Sequence, residues 1–305
     1  MLPTLPRREV GDGAKASPRP GMNSPTAILL ISCPDQRGIV ARLASLVYAR
    51  GGNIVDSDHH SDLQAGRFLG RIEWEDSGTP AERAALRTAV AAVADALGGQ
   101  WELHFSDVVP RLALFCSKQE HCLLDLLWRH QAGELGAELA FVMSNHDLLR
   151  RHVEPLGVPF HVLPVSRENK AEQEARQLAL LHDQRVDLVV LAKYMQVLSR
   201  DFLQAFPQVI NIHHSFLPAF AGAQPYHQAH ARGVKLIGAS AHFVTEDLDA
   251  GPIIEQDVVR VSHRDTVEDL VRKGRDMERL ALSRAVRLHL HHRVLTYGNK
   301  TVVFE

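Results

Sequence analysis

Residues 186–192, VDLVVLA, form an apolar run broken only by Asp187. A strand with one face in water alternates apolar and polar residues. A run like this one needs cover on both faces, as a central strand of a parallel sheet has. The surrounding sequence supplies the cover. After Pro110, strand-like and helix-like stretches alternate: RLALFCS, EHCLLDLLWRHQ, AELAFVMS, HDLLRRHVEPLG, PFHVLPV, RENKAEQEARQLALLHDQ, VDLVVLA and QVINIH. That rhythm predicts a doubly wound α/β domain with a mainly parallel sheet. Beyond residue 233 come β runs at 235–244 and 252–261, a charged helix over about 266–292 and a short tail.

The front of the chain has a different order. TAILLISC (26–33) reads as a buried strand, and Ile39, Leu43, Leu46 and Val47 then fall at helical spacing before Gly51-Gly52. NIVDSDHHSD and GRFLGRIEWED read as paired strands around LQA. Pro80 opens an Ala-rich helix with Leu86, Ala89, Val90, Val93 and Leu97 on one face, and QWELHFSD closes the set. The order βαββαβ is a ferredoxin-like split unit. The expected division is a disordered extension at 1–24, rich in Pro, Gly and Arg, then one domain at 25–106 and a second at 110–305. Translation is expected to begin at Met1 or Met22, which an intact mass separates.

Composition narrows the class. Apolar residues make up 45% of the 305 and charged residues 23%, with a net charge of −2. That balance is ordinary for a soluble globular chain and gives no electrostatic reason to expect nucleic acid or an anionic membrane as partner. No apolar run approaches the roughly 20 residues of a membrane span, and the N-terminus lacks the apolar core of a secretory signal. The three cysteines, Cys33, Cys116 and Cys122, do not suggest a disulfide framework, so a reducing cytoplasm is expected.

Two stretches carry the chemistry. Asn211 and His213 lie two apart at the C-terminal end of a strand, so their side chains share a face where α/β sheets bind ligands. In AHFVTEDLDAGPII (241–254) a strand runs into an acidic turn, with Asp249 two residues before Gly251. An amide, an imidazole and a carboxylate suffice for acyl-level chemistry without a metal. The first two donate to a developing oxyanion, and the third favours the imidazolium and moves protons. Each piece also has a plainer reading. Asn-x-His is often a polar pair at a sheet edge, and EDLD is often a solvated loop. His213, His214, His227 and His230 invite a metal reading, but no Glu or Asp accompanies them at ligand spacing, and no metal is expected. His289, His291 and His292 are expected on the surface.

NIHHSFLPAF (211–220), followed by HFVTEDLDAGPII, resembles the folate-dependent formyltransferase family. The resemblance implies a catalytic trio of Asn211, His213 and Asp249 supported by His242, Ser215 and His214. It implies folate contacts along LAKYMQVLS, at Tyr194, Met195, Gln196, Val197 and Leu198, and at Val244, Thr245, Glu246 and Asp247. Members that formylate a nucleotide amine carry a glycine-rich phosphate loop after the first strand of this domain; here that position reads FCSKQEHCLLDLL. CPDQRGIVARLASLVYARGGNIVDSDHHSD resembles an ACT domain, with Asp35, Gly38 and Asn53 implied as the region binding an amino-acid effector. Gln224 stands where many relatives are expected to carry a basic residue.

The resemblance therefore implies an ACT-bearing branch of the family. Its reaction is hydrolysis of 10-formyltetrahydrofolate to tetrahydrofolate and formate, supplying formate for purine synthesis and controlling the one-carbon pool. No tightly bound cofactor and a homo-oligomer, dimer or tetramer, are expected. A formyltransferase with an amine acceptor and a non-catalytic folate or amino-acid sensor remain the alternatives.

Overall fold

The computed structural model describes residues 24–218 and 225–305. The extension expected over 1–24 falls, but for Ser24, outside them, as does Gln224. The chain divides into two compact units between Val109 and Pro110.

The first unit holds β1 (Thr26–Pro34), α1 (Ile39–Tyr48), β2 (Ile54–Asp62), β3 (Arg67–Glu75), α2 (Pro80–Leu97) and β4 (Gln100–Phe105). Its sheet runs β2-β3-β1-β4, with β1 antiparallel to β3 and β4. Ala27, Leu29, Ile31 and Cys33 turn one face of β1 onto Leu43 and Val47 of α1 and Leu86, Val90 and Leu97 of α2. Burying each large aliphatic side chain contributes about 1.5–3 kcal/mol. Thr79 and Glu82 cap α2 reciprocally, with Pro80 at its first position, and Gly98 ends it in the left-handed conformation.

The second unit begins with β5 (Arg111–Cys116), α3 (His121–Gln131), β6 (Glu138–Ser144), α4 (Arg150–Val153) and β7 (Phe160–Val162). It continues through α5 (Lys170–Asp183), β8 (Leu188–Ala192), α6 (Arg200–Ala205), β9 (Val209–His213) and α7 (Pro225–Arg232). β10 (Leu236–Phe243), β11 (Ile253–Arg260), α8 (Val267–Leu290), β12 (Val294–Tyr297) and β13 (Lys300–Val303) complete it. The seven-stranded sheet runs β11-β10-β9-β8-β5-β6-β7. β5 to β9 are parallel, and β10 and β11 are antiparallel. Both faces are covered, as the VDLVVLA run requires. Leu112, Leu114 and Val190 pack with Leu123, Leu126, Ala281 and Leu282. Phe115, Val189 and Leu191 pack with Leu181, Phe202 and Leu203. β6 and β8 leave β5 on opposite sides, so the order reverses there. The C-terminal ends of β5 and β8 flank the crevice where such sheets bind ligands.

The structure corrects several local expectations. The helix read over 146–157 is only α4 and a 3₁₀ turn, because Pro155 removes a donor from its interior. PFHVLPV yields three strand residues at the sheet edge, followed by Pro164. PYHQAH, which the sequence reading assigns to no element, starts α7 with Pro225 at its first position. The tail folds back as the β12–β13 hairpin. His289, His291 and His292 are half-buried rather than on the surface, and His289 sets its ring edge-on to Phe243 at 5.4 Å.

Candidate active site

Strand register builds the site. On antiparallel β9 and β10, Asn211 stands opposite His242, and His213 opposite Ser240. Opposed residues on neighbouring strands share a face, so the four side chains form one patch. A bulge between Ala241 and His242 on the β11 side re-aims His242. Its Nδ1 lies 2.9 Å from the carbonyl of Phe243, which can only accept, so Nδ1 carries a proton. Its Nε2 is 3.3 Å from Asn211 Nδ2.

The loop after β10 brings in the carboxylate. Asp249 adopts a left-handed φ of 53°. Gly251 lies against β10 so closely that a Cβ there would stand 1.9 Å from the carbonyl oxygen of Phe243. Only glycine permits that approach, which turns Asp249 inward. Asp249 Oδ2 is 3.1 Å from His213 Nδ1, and Oδ1 is 3.6 Å from His242 Nε2. The hydrogen bond with His213, and then the His242 ring 3.6 Å away, hold the Asp249 carboxyl far below the usual carboxylate range, so it is ionised. His213 is 5% exposed, and its Nε2 is buried with no hydrogen-bond partner among the described residues. A buried, unpaired ring nitrogen is costly unless another group meets it.

The structure brings together Asn211, His213, Asp249 and His242. His214 stacks on His213 with centroids 4.7 Å apart. Burial, then the charges of Lys193 and His213, pulls the His214 pKa down to about 4. Ser215 is buried, and its carbonyl accepts from Ser240 Oγ at 3.0 Å. His227 and His230 are exposed on α7.

The two stretches read as folate contacts lie beside each other. Glu246 pairs with Arg200 at 3.1 Å, and Gln204 reaches Glu246 at 3.4 Å, tying the 244–249 loop to α6. Thr245 Oγ1 donates to the carbonyl of Asp247 at 3.1 Å, and the Val244 amide donates to the carbonyl of Val209. Tyr194 is buried, its hydroxyl receiving Gln177 Nε2 at 3.0 Å. Leu198 is buried, Gln196 half-buried, and Met195 and Val197 are 62% and 57% exposed. In the first unit the effector residues are not gathered. Asp35 and Gly38 precede α1 and Asn53 follows it, so a helix of about 15 Å separates them.

Sequence reasoning missed a buried charge cluster. Glu278 of α8 is 2% exposed. It lies 2.6 Å from His121 Nε2 and 3.3 Å from Lys193 Nζ, and it accepts from Tyr226 OH at 2.9 Å. Burial alone would raise its pKa, but the His121 hydrogen bond, the Lys193 charge and the Tyr226 hydroxyl hold it down to about 2. The signal was present: Leu270, Gly274, Glu278 and Leu282 recur every four residues, so Glu278 interrupts a buried stripe. Among the described residues, His121, Cys122 and Glu278 bring their ligand atoms within 4.8 Å of one another. The Lys193 ammonium already supplies the cation there, and burial pushes the Cys122 thiol well up, so the set does not suit a metal.

Comparison with known proteins now decides the family. A family model described as formyl transferase matches residues 110–286. The chain is 57% identical to a formyltetrahydrofolate deformylase from Synechocystis sp., over 93% of this chain and all of that one. The crystal structure of a formyltetrahydrofolate deformylase from Pseudomonas syringae superposes with a TM-score of 0.90 at 46% identity, covering 94% of this chain and 96% of the other. The chain belongs to the formyltetrahydrofolate deformylase family. Glycinamide ribonucleotide transformylase 1 from Symbiobacterium toebii is more distant, with a TM-score of 0.59 and 33% identity over 65% of this chain and 95% of that one. Among the described residues of this deformylase-family chain, no helix is long and apolar enough to cross a membrane.

Proposed function

We propose that the protein hydrolyses 10-formyltetrahydrofolate to tetrahydrofolate and formate in the cytoplasm, supplying formate for purine synthesis. The orphaned Nε2 of His213 carries the reading. With Nδ1–H donated to Asp249, the ring in its protonated form donates Nε2–H to the formyl oxygen. Asn211 Nδ2 spends one hydrogen toward His242 and keeps a second for the same oxygen. Water attacks the formyl carbon, and the oxyanion forms between these two donors. Asp249 Oδ1, beyond bonding distance of His242, takes the water's proton and returns it to the folate nitrogen as the carbon–nitrogen bond breaks. The products are tetrahydrofolate and formic acid, which ionises. The side chains supply every proton movement, so the scheme asks for no tightly bound cofactor. Backbone and side chains of 194–198 and 244–247 receive the folate.

The first unit serves as an ACT-type regulatory module in a homo-oligomer, dimer or tetramer, its domain spanning 25–106 ahead of the catalytic 110–305. A small amino acid binds near Asp35 and the Gly38 turn, which opens α1 with a φ of 85°. A melting-temperature screen of the amino acids tests this; no shift with any of them refutes it.

For the catalytic reading, purified protein is incubated with 10-formyltetrahydrofolate, and both products are followed. Equal amounts of formate and tetrahydrofolate are expected without any amine. Absence of formate, with formylation of an added amine, would overturn it.

A further inference from the structure

Helix α8 carries a glycine, Gly274, in its buried stripe. Glycine inside a helix is less favourable than alanine, so its presence calls for a packing reason. The reason is Tyr226 of α7. A Cβ on Gly274 would stand 2.0 Å from the Tyr226 hydroxyl oxygen and 2.3 Å from Cζ. The phenol therefore lies in a notch that only glycine leaves open. One turn further along α8, Glu278 accepts the phenol's hydrogen bond at 2.9 Å.

The notch connects to the site on one side and to β5 and β8 on the other. The Tyr226 ring is 6.4 Å from that of His214, which stacks on His213. Lys193, just past β8, is 4% exposed and holds a left-handed φ of 62°. A lysine kept in that conformation is strained and marks a position its surroundings over-determine. What fixes it is Glu278, 3.3 Å away, which also binds His121 at the start of α3. Three side chains from separate parts of the chain thus converge on one carboxylate, and the phenol it holds lies next to the ring that stacks on His213.

We propose that Tyr226, seated in the Gly274 notch and bonded to Glu278, is a specificity-determining positioning residue that pins His214 against His213 and keeps the nucleophile site too narrow for an amine. This rests on the hydrolytic reading above. Water and an amine use the same donors and the same carboxylate. For an amine, the new bond is nitrogen to formyl carbon, the amine loses a proton, and the folate nitrogen gains one as its bond to the formyl carbon breaks. Discrimination must therefore come from the surroundings of the trio, where His214 stacks on His213 and the Tyr226 ring lies 6.4 Å from that of His214.

The test uses the full-length protein, 10-formyltetrahydrofolate and hydroxylamine as a small amine probe. Formate and N-hydroxyformamide are quantified for the wild type, Tyr226→Phe and Gly274→Ala. Wild type is expected to give formate almost alone. Gly274→Ala, which expels the ring, is expected to raise the hydroxylamine product relative to formate at least about tenfold, and Tyr226→Phe, which loses only the hydrogen bond, by a smaller factor. A residue that is merely structural would lower total turnover and leave that ratio unchanged. An unchanged ratio in folded Gly274→Ala overturns the proposal. If Gly274→Ala does not fold, an unchanged ratio in Tyr226→Phe does so. Wild type releasing no formate would instead sink the hydrolytic reading, so the two failures are distinct.

Discussion

His213 Nδ1 lies 3.1 Å from Asp249 Oδ2, and the opposite ring nitrogen is buried without a partner among the described residues. The carboxylate therefore fixes Nδ1 as a donor and sets the orientation of the ring. This is the division of labour seen wherever an imidazole is held by a carboxylate and presents its other nitrogen to a substrate.

Asp249→Asn keeps the shape and removes the charge. We expect kcat to fall by about three to four orders of magnitude, with KM for the folate changed by no more than about threefold. Steady-state formate release checks this. A raised KM with unchanged kcat would reduce Asp249 to a binding role.

Gly251→Ala probes how the carboxylate is delivered. Its Cβ would meet the Phe243 carbonyl at 1.9 Å, and that carbonyl also accepts the His242 Nδ1 hydrogen. One methyl therefore displaces both the Asp249 loop and the His242 ring. We expect kcat/KM to fall about a hundredfold, because misplacement by about 1 Å is enough for that. Wild-type kinetics in a folded variant would show that the loop absorbs the methyl.

Much of this was legible before any coordinates. The doubly covered VDLVVLA run led to the parallel sheet. The two-residue spacing of Asn211 and His213 placed them on one face. What stayed hidden depends on long-range packing. Cross-strand register pairs Asn211 with His242, thirty-one residues away. Glu278 meets His121 across 157 residues, and no local pattern encodes such a meeting. Its trace in sequence is negative: a glutamate and a glycine where the buried stripe of α8 asks for apolar residues. The short α4 and β7 differ from expectation for a local reason, since Pro155 and Pro164 each end an element early.

We propose that the exposed apolar side chains of Met195 and Val197 form part of the folate wall. Met195 and Val197 are 62% and 57% exposed, on a segment that Lys193 and Leu198 anchor at either end. Replacing both with serine removes apolar contact made equally in ground and transition states. KM should rise about tenfold with kcat within about twofold of wild type. A loss confined to kcat would place the folate elsewhere.

Acid stability separates half-buried His214 from buried Glu278. Folding lowers the His214 pKa from 6.5 to about 4. The folded state therefore binds fewer protons at this ring than the unfolded chain does. Its contribution is full above about 6.5 and is lost as pH falls toward 4. Lys193 and His213 oppose a proton there, while Glu278 and Asp249 favour one. Glu278 is depressed from 4.5 to about 2. Its contribution is present above about 4.5 and lost as pH falls through the folded value. Melting temperature against pH should accordingly drop in two arms. His214→Gln should flatten the arm between about 6.5 and 4. Glu278→Gln should flatten the lower arm, while lowering stability at neutral pH by about 3–5 kcal/mol because Lys193 is left buried without its counter-charge. Pairing Glu278→Gln with Lys193→Met removes both charges and should recover much of that loss while keeping the lower arm flat. Parallel curves for all four proteins would mean that neither group governs acid unfolding.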